Sequence, residues 1–296
     1  MYPLFIIFWG NYAPDILKKN LNYPLGGYGH MYSRLQNIKD VKDVDILVLG
    51  SSHAYRGFDP RIFKHYGLNI FNLGSSAQSH IQTELLLKRY LDKINPKLII
   101  YEVYPGTFSS DGVESSLDII ANDKNDWESI KMALTQNHIK VYHALIYGFY
   151  RDFFKKNSNY QEASVKGDDT YIQGGFVEKK MQFFEPMQFN ENHWKLDGQQ
   201  YEFFERALLL IKQRNISVIL VQAPITQAMY RSFSNNSEFD EKMRTYGIYY
   251  NFNEIIELDD ELHFYNSHHL NQNGVEIFNT KLIEILFEKE EISTTQ

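Results

Sequence analysis

The stretch Asp45-Ile-Leu-Val-Leu-Gly-Ser-Ser-His53 decides how this chain is read. A short run of apolar residues ends in a glycine with no polar alternation. That is the form of a strand covered on both faces, as in a parallel sheet with helices above and below. Comparable runs recur at Leu68-Asn-Ile-Phe-Asn-Leu-Gly74, Lys97-Leu-Ile-Ile-Tyr-Glu-Val-Tyr104 and Ile216-Ser-Val-Ile-Leu-Val-Gln222, with a weaker candidate over 249–258. Helical spacing separates them. Leu85, Leu86, Tyr90, Leu91 and Ile94 recur at that spacing over 82–94 until Asn95-Pro96 stops the pattern. Further helices are predicted over 199–214 and 272–288, the second with Val275, Phe278, Leu282, Ile285 and Leu286 on one face. Strands alternating with helices predict an α/β domain with a mainly parallel sheet. The stretch 107–195 is less regular, with helical runs at 127–134 and 143–154 and a polar, loop-like segment at 155–175. It is read as a helical insertion over the sheet, within one domain spanning 21–296.

The 296 residues include 30 Lys or Arg and 37 Asp or Glu, a formal charge of −7, with 43% hydrophobic and 15% aromatic residues. Such a chain can bury a substantial core, which excludes wholesale disorder. An acidic balance without a Lys/Arg cluster argues against a nucleic-acid partner. Cysteine is absent. That excludes disulfides, Cys-ligated zinc, iron–sulfur clusters and thiol catalysis, and leaves serine as the natural covalent nucleophile.

Met1-Tyr-Pro-Leu-Phe-Ile-Ile-Phe-Trp-Gly10 is almost wholly apolar and is followed by Asn11, Asp15, Lys18 and Lys19. Ten helical residues rise about 15 Å, half of a ~30 Å hydrocarbon core, so the segment cannot span a bilayer unaided. It has neither the basic n-region nor the small-residue cleavage site of a signal peptide. Two readings stand. The segment is a terminal element packed on the domain, or residues 1–20 are part of a truncated membrane anchor with Phe8 and Trp9 in the interfacial aromatic belt.

Ligands of open parallel sheets sit beyond the C-terminal strand ends. Gly50-Ser-Ser-His53 follows the first strand, Gly74-Ser-Ser-Ala-Gln-Ser79 the second, and Asn266-Ser-His-His-Leu-Asn-Gln-Asn-Gly274 precedes the last helix. A serine at a strand-to-helix turn exposes its hydroxyl where backbone N–H groups converge, and a histidine from another loop can act as its base. This is the logic of a serine hydrolase or acyltransferase. Neither glycine turn ends in Gly-Lys-Ser/Thr, and no Gly-x-Gly-x-x-Gly follows the first strand, so neither a P-loop nor a dinucleotide site is expected. His263, His268 and His269 have only Asp259, Asp260 and Glu261 nearby and lack regular ligand spacing, so no metal and no cofactor is expected.

These blocks resemble those of the SGNH (GDSL-type) hydrolases. The run ending Gly50-Ser51-Ser52 is similar to the first block, with Ser52 at the nucleophile and Ser51 where the family has Asp. Phe71-Asn-Leu-Gly74 resembles the second block, whose glycine supplies an oxyanion-hole N–H. Asn266-Ser-His-His269 resembles the final Asp-x-x-His block, which sets His269 at the catalytic histidine. The Leu-Asn-x-x-Gly continuation resembles the extracytoplasmic branch that acylates cell-surface polymers, which includes alginate acetylation proteins and the D-alanyl transfer protein of teichoic acid synthesis.

The resemblance implies a three-layer α/β/α, flavodoxin-like fold with a five-stranded sheet. It implies a Ser52 acyl-enzyme, His269 as general base, Asn266 orienting it, and the N–H groups of Ser52 and Gly74 as the oxyanion hole. The implied partners are a polysaccharide or acylated small-molecule substrate and a membrane-bound acyl donor, with the protein anchored outside the cytoplasm; a cytoplasmic location is the alternative. Three positions depart from the pattern. Asn266 replaces the acid, Glu102-Val-Tyr-Pro-Gly106 stands in place of Gly-x-Asn-Asp, and His53 replaces an aliphatic residue. They motivate a rival reading, a catalytically degenerate member of this fold that binds or assembles glycans.

Overall fold

The computed structural model describes residues 1–18 and 24–292, so Lys19 and Asn20 of the expected lead-in lie outside the described residues. The strands are β1 (Ile46–Leu49), β2 (Ile70–Asn72), β3 (Leu98–Glu102), β4 (Val165–Lys166), β5 (Asp169–Ile172), β6 (Phe176–Lys179), β7 (Ser217–Gln222) and β8 (Tyr249–Asn251). Helices α1 (Tyr2–Tyr12), α2 (Asp15–Lys18), α3 (Met31–Asn37), α4 (Ser52–Gly57), α5 (Pro60–His65) and α6 (His80–Ile94) precede β3. Next come α7 (Val113–Asn122), α8 (Trp127–Gln136), α9 (Ile139–Phe153) and α10 (Gly198–Lys212). After β7 follow α11 (Gln227–Ser232), α12 (Asn236–Arg244), α13 (Phe252–Ile255) and α14 (Gln272–Glu288).

The main sheet has the order β2-β1-β3-β7-β8, and every pairing in it is parallel. This is the flavodoxin-like, doubly wound order. Alternation along each strand builds the three layers. Ile46, Val48, Leu98, Ile100, Ile219 and Val221 pack with α4, α5, α13 and α14. Leu47, Leu49, Ile99, Tyr101 and Leu220 face the other way, against α3, α6 to α10 and α12. With both faces dry, the strands need apolar residues at successive positions, which is why they read as unbroken runs. Asn95 ends α6 in the left-handed conformation at φ 48°, which Asn tolerates, and Pro96 cannot continue the helix.

Two expectations need correction. The candidate strand over 249–258 stops at Asn251, whose side chain accepts from Asn253 N at 3.0 Å and turns the chain into α13. The segment 155–175 is not simply a loop: it holds β4 and β5, which join β6 in an antiparallel sheet. Strands of two to four residues, mostly half-buried, carry too little alternation to be read from sequence. Asn72 N donates to Gly174 O at 2.8 Å and ties this small sheet to the end of β2.

Helix α1 buries only Ile6 and Gly10, and the absence of a side chain at Gly10 leaves room for the Tyr147 ring of α9. Leu4, Phe5, Phe8 and Tyr12 are exposed. Among the described residues no helix is long and apolar enough to cross a membrane.

Candidate active site

The chain leaves β1 towards β2 on one side and reaches β3 on the other, so the C-terminal ends of β1 and β3 form a topological switch point. Ser51 caps α4 there, its Oγ accepting from His53 N at 3.3 Å, and Ser52 opens the helix. Gly74 passes close beside this turn. A Cβ at Gly74 would lie 2.7 Å from Ser51 O and 2.9 Å from Ala54 Cβ, so only glycine lets the end of β2 approach.

The histidine loop before α14 comes to the same point. His269 Nε2 lies 2.8 Å from Ser52 Oγ, and His269 Nδ1 lies 3.1 Å from Asn266 Oδ1. The same Oδ1 accepts the backbone N–H groups of His268 at 3.0 Å and His269 at 2.9 Å. These two donors settle which way the amide faces, because turning it over would set an NH2 against two N–H groups. With the oxygen towards the ring, Nδ1 carries the proton and Nε2 is left as the free base facing Ser52. Burial, followed by the neighbouring His53, Arg56 and His268, holds the His269 pKa well below the usual histidine range. The ring is therefore neutral at pH 7.

The ring of His269 is held in a stack. His53 stacks with it at 5.0 Å between ring centres, and Tyr265 at 5.5 Å and 6° between planes. Tyr104 stacks on His53 at 4.1 Å between ring centres and places its hydroxyl 3.1 Å from His268 Nδ1. Burial pushes the His53 pKa down to about 3, so this layer adds no positive charge behind the base near neutrality. Trp194 and Tyr147 are core residues, while Phe153, Phe154 and Phe183 are exposed.

No family model and no curated protein matches the chain. Among solved structures, it is similar to a Bacteroides fragilis protein provisionally named an acylhydrolase, at 10% identity and a TM-score of 0.45, over 88% of this chain and 98% of that one. It is also similar to an acetyl xylan esterase, at 12% identity and a TM-score of 0.27, over 81% of this chain and 99% of that one. The doubly wound architecture stands on the strand order itself.

Ser52, Asn266 and His269 line a cleft of about 420 Å³, together with Tyr28, Tyr265, Arg56, Asp169, Lys166 and Lys179. Arg56 meets Asp169 with two hydrogen bonds, at 3.1 and 2.8 Å, and so joins α4 to β5 beside the serine. A cavity of about 470 Å³ lies beside β2, near Asp40, Arg61 and Gln173, but Ser52 and His269 do not line it. The Gly74 N–H, expected in the oxyanion hole, donates to Asn72 Oδ1 at 3.0 Å. Among the described residues no protein group accepts from Ser52 N. None of the nearby acids reaches His269. Asp260 accepts from Gln227 N and Ala228 N at 2.7 and 3.0 Å, and Asp259 accepts from Glu261 N and Leu262 N. Among the described residues no group of three His, Asp or Glu is placed to hold a metal ion. Sequence reasoning missed Asn72, Tyr265, Arg56 and Asp169 as members of this site, and no local pattern marks any of them.

Proposed function

We propose that this protein is an SGNH-like serine esterase or O-acyltransferase that acts on acyl groups, most simply acetyl, of a cell-envelope or capsular polysaccharide. The observation that supports it is Ser52 Oγ within 2.8 Å of His269 Nε2, with Asn266 Oδ1 behind the ring. Ser52 Oγ attacks the acyl carbon while its proton passes to Nε2. The tetrahedral oxyanion then collapses, the alcohol leaves with that proton, and acyl-Ser52 remains. Water or a sugar hydroxyl then attacks the acyl carbon and gives its proton to the same nitrogen; the acyl–Ser52 bond breaks and Ser52 Oγ takes that proton back, so hydrolysis and transfer differ only in the second nucleophile. The Ser52 N–H is the donor free for the oxyanion, and Gly74 N–H can serve by sharing its bond to Asn72.

A fluorophosphonate probe tests this reading. Labelling of the wild type at Ser52, lost in Ser52→Ala and His269→Ala, is expected; equal labelling of wild type and Ser52→Ala would sink it. The rival reading, a glycan-binding or assembly component, draws on Asn266 and on the committed Gly74 N–H. Turnover of a chromogenic acetyl ester that depends on Ser52 rejects that rival. An extracytoplasmic, membrane-anchored placement with a membrane-bound acyl donor belongs to the proposal through the family resemblance, and the exposed apolar face of α1 is compatible with it.

A further inference from the structure

Glu102 ends β3 and, by alternation with Leu98 and Ile100, points to the face of the sheet that carries α4. It is 1% exposed. Its Oε2 accepts from Ser51 N at 3.5 Å and from Ser51 Oγ at 3.3 Å, while Oε1 has no hydrogen-bond partner. Among the described residues no Lys or Arg forms an ion pair with it. Gly50 is what lets it fit. At φ 139°, a Cβ on Gly50 would lie 2.8 Å from both Glu102 Cβ and Oε2, so the glycine before the serine pair and the acid beneath it are shaped to each other. An isolated carboxylate in such a place is costly to ionise, so the group sits there as the neutral acid.

We infer that Glu102 is a positioning residue for the nucleophile: as a neutral acid it holds Ser51, and with it the Ser52 N–H and Oγ, and when ionised it sets a charge behind the oxyanion. This rests on the reading of Ser52 as nucleophile. Burial pushes the Glu102 pKa up to about 8. The titratable groups around it are His53 on α4, whose Nδ1 lies 3.2 Å from Ser51 Oγ, with His268 beside the His53 ring, Tyr104 after β3, and Tyr101, whose side chain leaves β3 on the opposite face. Burial holds both histidines below and both tyrosines above their usual ranges. Glu102 is thus the group of this layer whose charge changes just above neutrality.

The test is the rate at which a fluorophosphonate modifies Ser52 between about pH 6 and 10, in the full chain, for wild type, Glu102→Gln and Glu102→Ala. A unit charge on the order of 10 Å from another at an effective dielectric of about 20 changes a rate on the order of 10-fold, so a fall of that order is expected as the wild type passes through Glu102 ionisation. Glu102→Gln should keep the neutral-pH rate within about threefold and lose the fall, while Glu102→Ala should be slower than wild type at neutral pH and, having no charge there, also lose the fall. Melting temperature against pH is the second readout. A raised folded-state pKa gives stability that is present below the unfolded value, about 4.3, and is lost as pH climbs to about 8. Glu102→Gln should flatten that slope, leaving the part due to Asp118, which burial also pushes up to about 8, and the opposite slope that the buried His53 and His80, pushed down to about 3, give below the unfolded histidine value of about 6.5. An unchanged fall and an unchanged slope in Glu102→Gln, or no fall in the wild type, would overturn the inference. If the wild type is not labelled at Ser52, the nucleophile reading fails, and the melting slope still decides whether Glu102 is the neutral acid described.

Discussion

Asn266→Asp is the perturbation that asks most of this site. It places a carboxylate where Asn266 Oδ1 now lies, 3.1 Å from His269 Nδ1 and held by the N–H groups of His268 and His269 at 3.0 and 2.9 Å. Those two donors favour the charged form, so the new acid should ionise without leaving its place. Unit charges about 4 Å apart at an effective dielectric of about 20 attract by roughly 4 kcal/mol, and measured neighbour effects raise a pKa on the order of 1–3 units. In the serine-protease template the loss of the acid costs about 10⁴ in kcat, much of it through the wrong tautomer. Here the tautomer is already correct because the amide oxygen faces the ring. Only the charge is missing, and restoring it should raise the plateau rate by about 10- to 100-fold, or ~1.4–2.7 kcal/mol.

The pH profile carries the second half of the prediction. A base must be neutral to act, so activity is present above the His269 pKa and lost as pH falls through it. Burial holds that pKa well below the usual value, which puts the wild-type acid limb below about 6.5. In Asn266→Asp the limb should move upwards by roughly 1–3 pH units. Initial rates on a chromogenic acetyl ester between about pH 4.5 and 9 read both effects. A variant with an unmoved acid limb and no gain in rate would refute the assignment of His269 as base and Asn266 as its support.

Gly74→Ala should cost about 1–3 kcal/mol of stability through the contact with Ser51 O and Ala54 Cβ. By displacing the serine turn it should also lower kcat/KM roughly 10²-fold, read by melting and by ester turnover. Arg56 and Asp169 are mostly buried, with side chains 13% and 22% exposed, and a double-mutant cycle in urea should give a coupling of about 1–3 kcal/mol. Arg56→Gln should in addition raise the acid limb, because the guanidinium is one of the groups that hold the His269 pKa down. If α1 lies on a membrane, replacing exposed Phe5 and Phe8 by Ser should weaken flotation with anionic vesicles by about 1–3 kcal/mol per ring; no flotation of the wild type would remove that part of the proposal.

Much of the architecture was legible because burial on both faces leaves a local mark. Ile46–Leu49, Leu98–Glu102 and Ser217–Gln222 read as strands from their apolar runs, and α6 and α14 from their helical spacing. The order of the blocks around Ser52, Gly74 and His269 was also legible, since each sits at a strand end or before a helix. The short strands β4 to β6 were not, because half-buried segments of two to four residues carry no periodic signal. The direction of the Asn266 amide, the commitment of the Gly74 N–H to Asn72 and the burial of Glu102 beneath Ser51 were decided only in three dimensions. Periodicity reports which face of an element is dry, a property of neighbours two to four residues apart. The bond between Ser52 and His269 joins residues 217 positions apart, and the crossovers of the sheet, not any local pattern, bring them within 2.8 Å.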